Sequence, residues 1–257
     1  MTTRLRPALA AAFATALALA APALAEDAEN DCKVREYTMG LRFQQQSAEI
    51  QALQLQAFQL ATLRLDAAVQ GVEDPSKLAV VTDLDETIID NSALLARDLE
   101  NCHTYDGWDT STHWEREGKP TLIPGAKEFL DHADGLGVSI FYISDRTDDF
   151  KKASLATLND LALPQVSAES VLLLGPPKVT RRAIVEENHQ IVMLLGDTLH
   201  DFDGGFRKTP LDRQKALVHE NAAKFGTEWI VLPNASYGSW SGADLQGWDA
   251  EIVTGDY

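Results

Sequence analysis

Two aspartates one residue apart, Asp83 and Asp85, close an apolar run in the stretch VVTDLDETIIDNS at 80–92. Carboxylates held that near one another repel, so the pair is suited to hold a divalent cation, to share a proton, or to divide into an acid and a base. A solvated turn with a helix cap would account for the same residues if they stood alone. The arrangement recurs, however. VSIFYI at 138–143 ends at Ser144, VLLL at 171–174 runs through Gly-Pro-Pro to Lys178, and IVMLL at 191–195 ends in Gly196 and Asp197, with Asp201 four residues on.

That inventory of carboxylates, a hydroxyl and an ammonium suits phosphoryl transfer. Mg²⁺ takes one or two protein carboxylates together with substrate phosphate. A serine hydroxyl and a lysine ammonium can hold the remaining phosphate oxygens. A carboxylate can also attack phosphorus, splitting one hard hydrolysis into two easier steps.

The elements that must position these groups are parallel strands. Val80 and Val81 are β-branched and read as the end of a buried strand, and ligands of open α/β sheets bind outside the carboxyl ends of the strands. Trp229 to Leu232 reads as one further strand, broken by Pro233 and Asn234.

Taken together and in order, DLDET (83–87), Ser144, Lys178 and GDTLHDF (196–202) match the four motifs of the haloacid-dehalogenase-like (HAD) phosphatase superfamily. More narrowly, DLDETIIDNS, IPGAKEFL (123–130), FYISDR (141–146), KVTRR (178–182), GDTLHDF and LPNASYGSW (232–240) resemble the blocks of the class C nonspecific acid phosphatases, a bacterial family that includes outer-membrane lipoprotein acid phosphatases. The resemblance implies an α/β fold: a HAD-like Rossmannoid parallel sheet with helices on both faces, plus a smaller α-helical domain formed by the N-terminal helix and a cap insert at about 88–122. It implies Asp83 as nucleophile and Asp85 as general acid and then base. Ser144, Lys178 and Arg146 would contact phosphate. One Mg²⁺ per chain would be held by Asp83, Asp85 (through its backbone carbonyl) and Asp197, with Asp201 in support. Tyr237 would stack a substrate ring, and substrates would be small phosphomonoesters, among them nucleoside 5′-monophosphates, at mildly acidic pH. Relatives suggest a homodimer. A phosphotransferase passing the group to an alcohol, and an exported binding protein keeping only the fold, are the competing readings.

At the N-terminus, Arg4 and Arg6, the apolar 8–21 and the Ala23-Leu24-Ala25 site read as a signal peptide over 1–25, removed near Ala25 to give a periplasmic or secreted protein. Cys32 lies beyond that cut without a lipobox, so no membrane anchor is expected. The segment 26–78 then carries a helix over 47–69, with Ile50, Leu53, Ala57, Leu60 and Ala61 at helical spacing and Leu55, Phe58 and Leu65 widening the stripe. The core domain spans 79–257. The formal charge is −17, and loss of Arg4 and Arg6 with the leader takes it to −19. Such acidity disfavours nucleic-acid polymers and anionic membranes.

Within the core, 88–99 reads as helical, and Trp108 and Trp114 mark a partly buried piece of the insert. Helices are expected at 126–133 and after Thr147, which would cap the second. Asp145 stands where relatives more often have Asn, so it is expected to compete for Arg146. Arg181 and Arg182 read as a solvated helix face. Asp197 and Asp201, four apart, would share one side of a helical turn. Cys32 and Cys102 could form a bridge in an oxidising compartment or remain two thiols.

Overall fold

The computed structural model describes residues 38–103 and 109–247. Residues 1–25, read above as a leader, and Cys32, Trp108 and the last ten residues lie outside the described residues. Five short apolar runs form one parallel sheet: β1 (Leu78–Thr82), β4 (Ser139–Ile143), β5 (Val171–Leu172), β6 (Gln190–Gly196) and β7 (Trp229–Val231), in the order β5-β4-β1-β6-β7. Every residue of β1 is buried, as the centre of a sheet covered on both sides requires. Its alternation divides two cores. Leu78 and Val80 pack with Phe58, Leu65, Phe129 and Ile140, whereas Ala79 and Val81 pack with Val185, Leu194, Phe202 and Trp229.

Helices α2 (Ala48–Val69) and α5 (Ala126–Gly135) supply the first of these layers, and α7 (Lys178–Glu186) packs on β4 and β6. Ser47 caps α2, its hydroxyl accepting from Ile50 N at 3.0 Å. The buried stripe of α2 is Ile50, Gln54, Phe58, Ala61 and Leu65, so Leu53 and Leu55 face outward instead of inward. A preceding helix, α1 (Thr38–Gln46), packs against α3 (Ser92–Glu100). Its buried Gln44 pins the loop after β7 by donating to Pro233 O and accepting from Ala235 N.

The run at 88–99 divides where one helix was expected. Ile88 and Ile89 are fully buried, and Ile89–Asp90 forms a short strand, β2, paired antiparallel with β3 (Thr121–Leu122). Only then does α3 begin, followed by α4 (Asp109–Glu117). Two buried β-branched residues beside a partner strand outweigh helical spacing here. After Thr147 the chain makes a 3-10 turn over Asp148–Phe150 before α6 (Lys151–Asp160), and the Thr147 side chain makes no capping bond. The remaining helix, α8 (Leu211–Glu220), follows two 3-10 turns. No helix among the described residues is long and apolar enough to cross a membrane.

Candidate active site

Because β4 lies on one side of β1 and β6 on the other, the strand order reverses at β1, the place where such sheets leave a crevice. Asp83 follows β1 and is locked to the neighbouring strand by its N–H donating to Leu195 O at 2.9 Å. Ser144 follows β4, Lys178 opens α7 after β5, and Asp197 follows β6. These four groups line one cavity of about 250 Å³ with Asp85, Arg146, His200 and Tyr237. Leu94, Leu95 and Asp98 of α3 and Ser111, Trp114 and Glu115 of α4 line it too.

Between β1 and β2 the chain turns tightly. Leu84 O accepts from both Ile88 N and Ile89 N at 2.8 Å, and Glu86 adopts φ 54°, a left-handed conformation uncommon outside glycine. The Glu86 side chain is buried, accepting from Asn91 N at 3.1 Å and from the Tyr237 hydroxyl. Burial and the charge of Asp85 push Glu86 up to about 8.

Lys178 bridges two carboxylates, its Nζ 2.7 Å from Asp83 Oδ1 and 2.6 Å from Asp201 Oδ1. Asp83, Asp197 and Asp201 bring one oxygen each within 4.8 Å of one another. Burial pushes Asp83 up to about 7 against the pull of Lys178, and burial, Asp201 and Asp83 push Asp197 well above the carboxylate range. Lys178 is one positive charge among three clustered carboxylates, two of them buried. An all-oxygen donor set short of positive charge fits a hard divalent cation. Thr87 Oγ1 and Asn234 Nδ2 orient Asp197 by donating to its two oxygens at 3.3 and 2.8 Å.

Asp201 reaches the cluster by a route other than the expected helical turn. Thr198 is extended, and Leu199–Asp201 then folds back as a 3-10 turn whose capping box has Thr198 N and Oγ1 donating to Asp201 Oδ2. The return brings Asp201 against Gly196, where any Cβ would collide with the aspartate side chain. Glycine is required there for close approach, at a backbone with ordinary dihedrals.

Asp85 stands apart from that cluster. Arg146 meets it with Nη2 2.7 Å and Nε 2.9 Å from Oδ1, Asn91 Nδ2 donates to Oδ1 at 2.8 Å, and Ser144 Oγ donates to Oδ2 at 3.2 Å. Burial acts to raise this carboxyl, but the Arg146 guanidinium outweighs it and holds Asp85 below the usual range. Arg146, expected at phosphate, is thus committed to Asp85, and Ser144 is itself fully buried.

The competition expected between Asp145 and Arg146 does not occur. Asp145 pairs with Arg181 and lies 3.7 Å from His200 Nε2. Nor are Arg181 and Arg182 a solvated face. Both are buried, Arg181 donating to Ser144 O, Leu172 O and Leu173 O, and Arg182 to Asp201 O at 2.6 Å. The guanidinium groups donate to carbonyls after β4 and β5 and in the 3-10 turn after β6, a role their clustering in sequence conceals.

Sequence reading missed Glu86, Thr87, Asn91, Glu115 and Asn234 as site residues. Glu86, Thr87 and Asn91 lie inside the DLDETIIDNS block and Asn234 inside LPNASYGSW, so the blocks themselves were the available signal. Tyr237 lies on the cavity wall with its hydroxyl bound to Glu86. Cys102 is disulfide-bonded, while Cys32 lies outside the described residues.

The family model described as HAD superfamily, subfamily IIIB (Acid phosphatase) matches residues 8–240. The structure of the class C acid phosphatase from Bacillus anthracis is similar, with 35% identity, a TM-score of 0.75, and 82% of this chain and 88% of that chain covered. A second structure of the Bacillus anthracis class C acid phosphatase, with tungstate bound, gives 32% identity, a TM-score of 0.77, and coverage of 85% and 93%.

Proposed function

The chain belongs to the acid phosphatases of HAD subfamily IIIB, class C phosphomonoesterases, and we propose that it hydrolyses small phosphomonoesters through a phosphoryl-aspartate on Asp83 with a divalent cation in the site. The observation that carries this reading is the Lys178 bridge between Asp83 and Asp201 inside a buried carboxylate cluster at the strand ends.

Asp83 attacks phosphorus, and the phosphorus–oxygen bond to the leaving alkoxide breaks as the aspartyl-phosphate forms. Asp85 delivers a proton to that alkoxide, then takes one from the water that hydrolyses the aspartyl-phosphate. Proton transfer to the leaving oxygen requires Asp85 to be protonated when substrate binds, and Arg146 opposes this, so the acid form is favoured toward low pH. Lys178 and Ser144 hold phosphoryl oxygens. Asp83, Asp197 and the Asp85 backbone carbonyl would hold the cation, with Asp201 behind them. Mg²⁺ fits this oxygen-only set, and when bound it neutralises charge developing on the transferring phosphoryl group.

Nucleoside monophosphates are the proposed substrate class, the base lying against Tyr237, whose ring is fixed by its hydroxyl bond to Glu86. Export is proposed from the leader at 1–25, and the disulfide at Cys102 supports an oxidising compartment.

The test is phosphate release from para-nitrophenyl phosphate and from AMP, with Mg²⁺ and with EDTA, for the wild type and Asp83→Asn. Metal-dependent release that Asp83→Asn abolishes is expected. Full activity in EDTA, or in folded Asp83→Asn, would discard the mechanism.

A further inference from the structure

Two adjacent residues of helix α4 make hydrogen bonds that converge on the Asp85–Arg146 pair. Trp114 Nε1 donates to Asn91 Oδ1 at 2.8 Å, and Asn91 Nδ2 donates in turn to Asp85 Oδ1 at 2.8 Å. The next residue, Glu115, accepts at Oε2 from Thr147 N at 2.9 Å, fixing the backbone that follows Arg146. Asn91 and Glu115 are 5% and 6% exposed, so neither contact is a surface accident.

The amide of Asn91 has one workable orientation. Its oxygen accepts from Trp114 Nε1 and, at 3.3 Å, from Arg146 Nη2, while its nitrogen faces the carboxylate. A flipped amide would set oxygen against the Asp85 oxygen and NH₂ against two donors. The indole N–H therefore helps choose which end of Asn91 meets Asp85.

We infer that Asn91 is a positioning residue for Asp85, and that α4 governs leaving-group protonation through Trp114 and Glu115. The insert that lines the cavity then also orients the group that protonates the leaving oxygen. An alcohol docked against α4 thus meets its proton donor in register. This inference rests on the reading of Asp85 as general acid.

A purely structural contact would slow all substrates alike, whereas a displaced acid slows most those whose leaving group needs a proton. The experiment compares kcat/KM for glycerol 3-phosphate, which leaves as an alkoxide, with that for para-nitrophenyl phosphate, which leaves as a stabilised phenolate. It uses the full chain with Mg²⁺, and folding is checked by thermal melting. Trp114→Phe keeps an aromatic ring and removes the N–H. Its glycerol phosphate value should fall about tenfold further than its nitrophenyl value, a part of the roughly 100-fold or more that a general acid contributes. Glu115→Ala should shift the ratio in the same direction, and Glu115→Gln, which keeps an acceptor for Thr147 N, should restore it. Should Trp114→Phe not fold, the Glu115 pair carries the test alone. Equal losses on the two esters in the folded variants overturn the coupling. Asp85→Asn separates the two levels: an unshifted ratio there overturns the role of Asp85 and the positioning with it. A shifted ratio beside an unshifted Trp114→Phe overturns only the path through Asn91.

Discussion

Arg146 grips Asp85 side-on, placing Nε and Nη2 at 2.9 and 2.7 Å from one carboxylate oxygen, and this pair separates the carboxylate of Asp85 from the Asp83, Asp197 and Asp201 cluster. Two aspartates one residue apart thereby acquire opposite electrostatics. Burial lifts Asp83 to about 7, whereas Arg146 keeps Asp85 low. These directions run opposite to the roles of nucleophile and acid, and a divalent cation bound at Asp83 would reverse the first of them by favouring its charged form.

Removing the guanidinium should expose that dependence. Arg146→Met leaves the Asp85 charge unpaired, and because the Asp85 side chain keeps 27% exposure the loss should fall below that of a fully buried pair, at about 2–3 kcal/mol. Urea unfolding measures it. Adding Asp85→Asn to Arg146→Met should recover part of the loss, and strictly additive effects would show that the two side chains do not act as a pair.

The close approach of Asp201 to Gly196 makes a second prediction. Gly196→Ala should displace Asp201, destabilise the protein by about 1–3 kcal/mol as overpacking does, and reduce phosphatase activity more than tenfold, a threshold of about 1.4 kcal/mol. Gly135→Ala is the control, since a Cβ there meets nothing within 4 Å and ends a helix. It should leave activity intact and gain a few tenths of a kcal/mol, up to about 1. Comparable melting curves and turnover for the two variants would contradict the packing argument.

Asp98 supplies a pH dependence away from the carboxylate cluster. Its Oδ2 accepts from Thr110 Oγ1 at 2.9 Å, while its buried Oδ1 has no partner among the described residues, and burial raises this carboxyl above 3.8. A raised carboxyl costs nothing below the unfolded value, where both states are protonated. The cost grows as pH rises through 3.8 toward the folded value and stays constant above it. Asp98→Asn should therefore be about 1 kcal/mol more stable than the wild type near pH 7, and that advantage should shrink toward pH 4. Melting temperatures at both pH values measure it, and an advantage unchanged with pH would refute the charge as its origin.

Sequence alone determined the strands of the parallel sheet and what each one ends in, but not the β2–β3 pair. An apolar run followed by a polar residue is a local pattern, so the placements of Asp83, Ser144, Lys178 and Asp197 at β1, β4, α7 and β6 were legible, as was the parallel sheet with helices on both faces. The motif blocks likewise carried the family, because their order along the chain survives without coordinates. Which partner each charge takes was decided only by the tertiary structure. Arg146 and Asp145 are neighbours in sequence yet pair with Asp85 and Arg181, since each side chain leaves the strand end in its own direction and finds the charge nearest in space. The Arg181 and Arg182 pair, a surface face by its spacing, is buried because the carbonyls of Ser144, Leu173 and Asp201 need donors there, and Arg181 also reaches Leu172 O. Asn91 and Trp114 show the same division: each is visible as a residue type, but the bond joining them exists only because β2 pairs with β3 and α4 is brought back over the site. Local periodicity fixes elements, and long-range packing fixes which polar groups must satisfy one another.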